Sequence, residues 1–191
     1  MLPDQQSAGS TIRVMHVTLV HEYDPRWPDQ FRELASLLER ELAGLFLRIE
    51  HVGSTAIPGM TAKPIIDLVV VIEPARLPEV IERLAAFGFQ HEGDRGIPGR
   101  EAFRPIEGTP AASLPRQHLY VCPEGNRSLE EQLAFRDFLR THPDQARRLS
   151  AHKRALCIEH DNDKDLYIAG KSEMVREIIR LAMPDGACLA P

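Results

Sequence analysis

The chain has 191 residues, 43% of them hydrophobic, which suffices for one well-buried core and is too short for two full domains. Its formal net charge of -5 argues against a general nucleic-acid coat protein, although clusters such as Arg147-Arg148 with Lys153-Arg154 suit a small anion. No apolar run approaches the roughly 18 residues of a membrane span, the N-terminus lacks the layout of a secretory signal, and Cys122, Cys157 and Cys188 form no CxxC pair, all as in a cytoplasmic protein with reduced thiols.

Residues 1–11 are polar and read as a loose tail, and Arg13–Val20 alternates as a strand does. Pro28 suits a first helical turn, and Phe31, Leu34, Leu37, Leu38, Leu42 and Leu45 extend an amphipathic helix over 28–44. A strand is expected over 45–52, a turn after it, and a buried central strand over 65–72. Leu77, Val80, Ile81, Leu84 and Phe87 give a second helix stopped by Gly88. Residues 92–116 are rich in glycine and proline, with one strand at 101–106, and another strand follows at 117–122. Beyond it the chain turns helical, over 129–140, 143–158 and 161–183, with a tail from Pro184. This order predicts a single α+β domain over 12–183: a mixed sheet of four or five strands, helices packed on one side, and a helical C-terminal half.

The most informative stretch runs from His51 to Val71. Gly53 permits close backbone approach, Ser54 and Thr55 add hydroxyls, and a turn opening a helix exposes N–H groups to an anion. Lys63 supplies a mobile positive charge. Asp67 lies within Ile65-Ile66-Asp67-Leu68-Val69-Val70-Val71, where an ionised side chain is costly unless paired. Together these residues point to a phosphate-and-metal site. The competing reading makes Ser54 an N-cap, Lys63 a solvated loop charge and Asp67 half of a structural ion pair.

The same segment resembles the signature of the GrpB family. Similar blocks follow in order: Tyr23-Asp24-Pro25-Arg26-Trp27-Pro28, Arg48-Ile49-Glu50-His51, His118-Leu119-Tyr120-Val121, Phe135-Arg136-Asp137-Phe138-Leu139 and Tyr167-Ile168-Ala169-Gly170-Lys171. The resemblance implies a nucleotidyltransferase-like fold, and with it a nucleotide or other phosphorylated small molecule as ligand, Mg²⁺ as cofactor and nucleotidyl or phosphoryl transfer as reaction. Its alternative is a non-catalytic module assisting a partner such as dephospho-CoA kinase, because GrpB-like domains are appended to that enzyme. This chain has no P-loop of its own.

On that template Asp67 is the expected metal ligand and, with His118, the expected catalytic residue. Gly53, Ser54, Thr55, Lys63, Arg136, Lys153, Tyr167 and Lys171 are the expected phosphate or nucleotide contacts. Three departures stand out. A nucleotidyltransferase carries a second carboxylate two residues after the first, on the same strand face, and here that position is Val69. Tyr120 stands where the family often has histidine, and Leu149 where it has tyrosine. His51 and His118 fall near strand ends and are equally readable as core partners. Tyr167, Lys171, Met174, Ile178 and Leu181 recur along one helix face, so Lys171 must snorkel to water or meet an anion inside. Arg136 sits in a comparable apolar arc. The acids of Asp161–Asp165 lack the glycine and glutamate of an EF-hand loop and read as a helix start.

Overall fold

A computed structural model describes residues 19–184. The tail expected at 1–11, all but the first residue of the tail expected from Pro184, Cys188, and most of the strand expected at Arg13–Val20 lie outside those residues, and Leu19 and Val20 are not in a strand. The elements are α1 (Trp27–Glu41), β1 (Arg48–Val52), β2 (Ile66–Ile72), α2 (Leu77–Phe87), β3 (Phe89–His91), β4 (Glu101–Pro105), β5 (Gln117–Pro123), α3 (Arg127–Thr141), α4 (Pro143–Glu159) and α5 (Lys164–Ala182). They form a mixed five-stranded sheet in the order β1-β2-β5-β4-β3. Only β2 and β5 pair in parallel; the chain between them supplies α2 and the antiparallel β3–β4 pair, the long crossover that a parallel pair requires.

Strand alternation separates the two faces. Ile66, Leu68, Val70 and Ile72 of β2 point into the main core with Leu34, Leu38, Val80 and Leu84 of α1 and α2. Each such fully buried side chain contributes roughly 1.5–3 kcal/mol. Asp67, Val69 and Val71 take the other face, where Val69 and Val71 pack with Val52, Cys122 and Leu129 from α3. The segment between β1 and β2 is wedged against the helical half through Ile57 and Met60, which share a core with Phe135, Leu139, Leu149 and Ile178. The site loop is therefore held from both sides.

Boundaries moved for local reasons. Gly44, with φ of +80°, ends the helical run early, and Gly88, with φ of +108°, caps α2 as expected. Asp163 accepts hydrogen bonds from the backbone N–H groups of Asp165 and Leu166, the capping role expected for this acidic run. Among the described residues no helix is long and apolar enough to cross a membrane.

Candidate functional site

The signature turn is tighter than the sequence implied. Ser54–Ala56 is one 3-10 turn, not the start of an α-helix, so little helix dipole acts on an anion here. Gly53 has φ of +69° and ψ of -167°, a combination essentially reserved for glycine. A Cβ at this position would stand 3.0 Å from both Cβ and Cγ of Asp67. Glycine thus serves a close approach between turn and carboxylate. Thr55 corrects the expectation of a ligand contact: its hydroxyl is buried, lies 3.0 Å from His51 Nε2 and donates to the Ile65 carbonyl at 3.4 Å. His51 is likewise a core residue, stacked on Phe31 at a centroid distance of 4.6 Å, and its burial lowers its pKa to about 4, so it stays neutral.

Ser54 faces the helical half. Lys153 of α4, 2% exposed, donates to Ser54 Oγ at 2.6 Å and to the Thr61 carbonyl at 3.1 Å. Ser150, one turn earlier on α4, accepts from the Thr61 N–H at 3.1 Å and so fixes that carbonyl. The role of Ser150 and Thr61 was missed in the sequence; the three-residue spacing of Ser150 and Lys153 on one helix face was the available signal. From α5, Tyr167 presents a buried ring that carries Lys63 Nζ at 4.5 Å and Lys171 Nζ at 5.5 Å from its centroid. Gly170 lets α4 and α5 close on each other, because a Cβ there would stand 2.5 Å from Leu156 Cδ2.

Three lysines from a loop and two helices thus converge on Ser54 and Tyr167. Among the described residues none of the three has a carboxylate within ion-pair distance, whereas Arg147, Arg148 and Arg154 nearby are paired with Asp144, Glu177 and Glu22. Burial first, then Lys171, depresses the Lys153 pKa to about 7. Burial, then Lys171, lowers Lys63 as well, and burial lowers Lys171, partly offset by the charge of Asp67.

Asp67 adjoins this cluster on the sheet. Its Oδ1 accepts from His118 Nδ1 at 2.8 Å, the two residues being direct partners in the parallel β2–β5 register. A carboxylate oxygen can only accept, so Nδ1 donates, and in the neutral ring the lone pair then lies on Nε2. Val69, the position of the missing carboxylate, is fully buried beneath α3. The second metal-ligand position is therefore closed as well as apolar. Among the described residues no three His, Cys, Asp or Glu side chains converge on one point. A divalent cation at Asp67 fits only as one carried in with a ligand's phosphates, which would supply most of its oxygens.

Arg136 is placed differently from the expectation. It donates to Glu50 Oε2 at 2.7 Å and to the His51 carbonyl at 3.0 Å, and it pairs with Asp137. Those bonds join α3 to β1 and occupy the guanidinium. The apolar stripe of α5 also stops short, because Leu181 is half-exposed whereas Ile178 is buried and Met174 partly so. Ser54, Lys63, Asp67 and Lys171 keep part of their surface open. A hollow of about 200 Å³ takes in His118 with Ile65, Arg116 and Gln117, and neither it nor the hollows of about 580 and 520 Å³ is lined by any of these four residues.

A family profile described as GrpB protein matches residues 17–181. A UPF0157 protein of Pseudomonas aeruginosa is 37% identical over 84% of this chain, and the YqkA protein of Bacillus subtilis is 32% identical over 81%. The chain spans only 65% and 44% of those two relatives' lengths. The crystal structure of the conserved protein GrpB from Enterococcus faecalis superposes with a TM-score of 0.76 at 29% identity, covering 86% of this chain and 97% of that one. A Cid1 poly(U) polymerase structure matches at a TM-score of 0.50 and 14% identity, over 73% of this chain and 43% of that one, a likeness of fold alone. A dephospho-CoA kinase of Mycolicibacterium paratuberculosis is 31% identical over 83% of this chain but 44% of its own length. The glycine-serine turn, the carboxylate beneath it and the mixed sheet that joins them are set in a nucleotidyltransferase-like fold, and the chain belongs to the GrpB family.

Proposed function

We propose that this protein binds a nucleotide or another phosphorylated small molecule at Ser54, Lys63, Lys153 and Lys171. One observation carries this reading: three lysines converge without a carboxylate partner. Assembling mutually repelling, half-desolvated cations destabilises a fold, and a polyanion reverses the sign of that interaction. Phosphate oxygens would replace part of the hydration that the lysines have lost, with Gly53 allowing close approach at the turn. Mg²⁺, carried in on the phosphates, would take Asp67 as its protein ligand. For nucleotidyl or phosphoryl transfer, His118 Nε2 is the proton acceptor on the same sheet face, oriented by Asp67. Cytoplasmic residence belongs to this reading too, since Cys122 and Cys157 are buried and unpaired.

The closed Val69 position favours a second reading in which binding occurs without transfer, as in an accessory module for a partner of the dephospho-CoA kinase kind. A thermal-shift screen of nucleotides and CoA precursors, with and without Mg²⁺, tests the shared premise. A ligand at 100 times its dissociation constant stabilises by about 2.7 kcal/mol. Stabilisation by at least one member, lost in Lys153→Met, is expected. A panel with no effect on the wild type would remove the phosphate site. Turnover of the stabilising ligand then separates the two readings.

A further inference from the structure

The opposite flank of Asp67 carries a cation that the lysine site does not use. On the face that holds Asp67, the strand register sets His118 and Tyr120 of β5 next to Asp67 and Val69, and Ala102 of β4 next to Tyr120. Arg100, two residues before Ala102, continues the row. Its guanidinium carbon lies 4.5 Å from the Tyr120 ring centroid, and the Tyr120 and His118 rings are 6.3 Å apart. Arg100 Nε is buried and has no hydrogen-bond partner, and among the described residues no carboxylate pairs with this side chain. The neighbouring arginines differ: Arg95 and Arg104 both pair with Glu92.

The backbone holds Arg100 in place. Asn126, the N-cap of α3, donates to the Pro98 carbonyl at 3.0 Å while accepting from the Leu129 N–H. Gly99, with φ of +72°, lies so close that a Cβ would stand 2.6 Å from Asn126 Nδ2. The Arg100 N–H bonds the Ile97 carbonyl, and Ala102 N–H bonds that of Gly93. A stacked guanidinium on a pinned loop loses little freedom on binding, and its fork suits a planar or tetrahedral oxyanion. An orphaned buried donor is costly, and a ligand oxygen would satisfy it. Tyr120 responds to both ends of the row: after burial, the charge of Asp67 raises its pKa and that of Arg100 lowers it.

We propose that Arg100, standing on the Tyr120 ring, anchors the oxyanion of a second ligand, a carboxylate or phosphate group, across Asp67 from the lysines. This rests on the phosphate site proposed above. It makes the molecule that meets the bound phosphate an anionic small metabolite, held by its charged end while the remainder lies toward Asp67 and His118.

The test uses the full chain, saturated with inorganic tripolyphosphate to occupy the lysines, and then titrated with succinate or with inorganic phosphate while thermal stability is followed. One of the two should add a second increment in the wild type, and which one does so names the group. Arg100→Met should raise that dissociation constant at least tenfold, Arg100→Lys by less, and both should leave the tripolyphosphate increment unchanged. A second increment that survives Arg100→Met, or none in the wild type for either probe, overturns the proposal. If tripolyphosphate has no effect but an anion still binds through Arg100, the lysine reading falls and with it the pairing of two ligands, and Arg100 is left as an oxyanion site on its own.

Discussion

Two groups of basic residues lie where the helical half meets β1 and the loop after it, and they differ in one respect. Arg136 is tied to Glu50, Asp137 and the His51 carbonyl, so its charge is matched within the fold. Lys63, Lys153 and Lys171 share a serine hydroxyl, a backbone carbonyl and an aromatic ring, none of which carries a charge. The first group holds α3 against β1. Among the described residues the second makes no ion pair, and the charges of Asp67 and Asp165 reach it only from beyond contact. Burial of a cation does not by itself indicate function; whether the fold supplies its counter-ion does.

The comparison can be broken most readily at Arg136. Arg136→Met strands Glu50 with Arg48 alone and should cost about 3 kcal/mol of stability in chemical denaturation, with phosphate affinity within twofold of wild type. A variant that keeps its stability and loses affinity would move Arg136 into the binding site. Gly53→Ala comes next, at about 2 kcal/mol, because alanine must adopt a glycine-only conformation against Asp67. The same denaturation assay would show no loss if the turn can rearrange.

Lys153 sharpens the comparison through pH. Its pKa is about 7 in the fold against about 10.5 unfolded, so the destabilisation is fully present below pH 7 and fades as pH rises toward 10.5. Relative to wild type, Lys153→Met should therefore look about 2 kcal/mol more stable at pH 6 than at pH 8.5. A difference independent of pH would mean that Lys153 keeps an ordinary lysine pKa. The smallest effect belongs to Lys171→Met, which retains the stem over Tyr167. Its calorimetric affinity for a phosphorylated ligand should fall roughly tenfold, about 1.4 kcal/mol, while its melting temperature holds or rises. Intact affinity would leave Lys171 a packing residue.

Much of the fold was legible because its periodicities are long and clean: α2 was read to both ends, and α4 to within one residue, from apolar spacing and one glycine. β3 escaped because three residues carry no alternation. In the site, Ser54 and Thr55 read alike, yet a single 3-10 turn sends one hydroxyl to Lys153 and the other into the core. Arg136 and Lys153 also read alike, each a cation in an apolar arc. Glu50 separates them, and it lies 86 residues from Arg136, beyond any local pattern. Arg100 was hidden within a glycine-rich stretch whose only local message was a loop.

The central claim is that the three lysines form an unneutralised site for phosphate. Titrating the protein with inorganic tripolyphosphate at pH 8, in two buffers of different ionisation enthalpy, tests it most directly. A lysine with a pKa of about 7 is mostly neutral there, and a bound polyanion restores its proton. The expected result is saturable binding with net uptake of about one proton in the wild type, and weaker binding without uptake in Lys153→Met. No binding, or binding with the same proton balance in both proteins, would contradict the account.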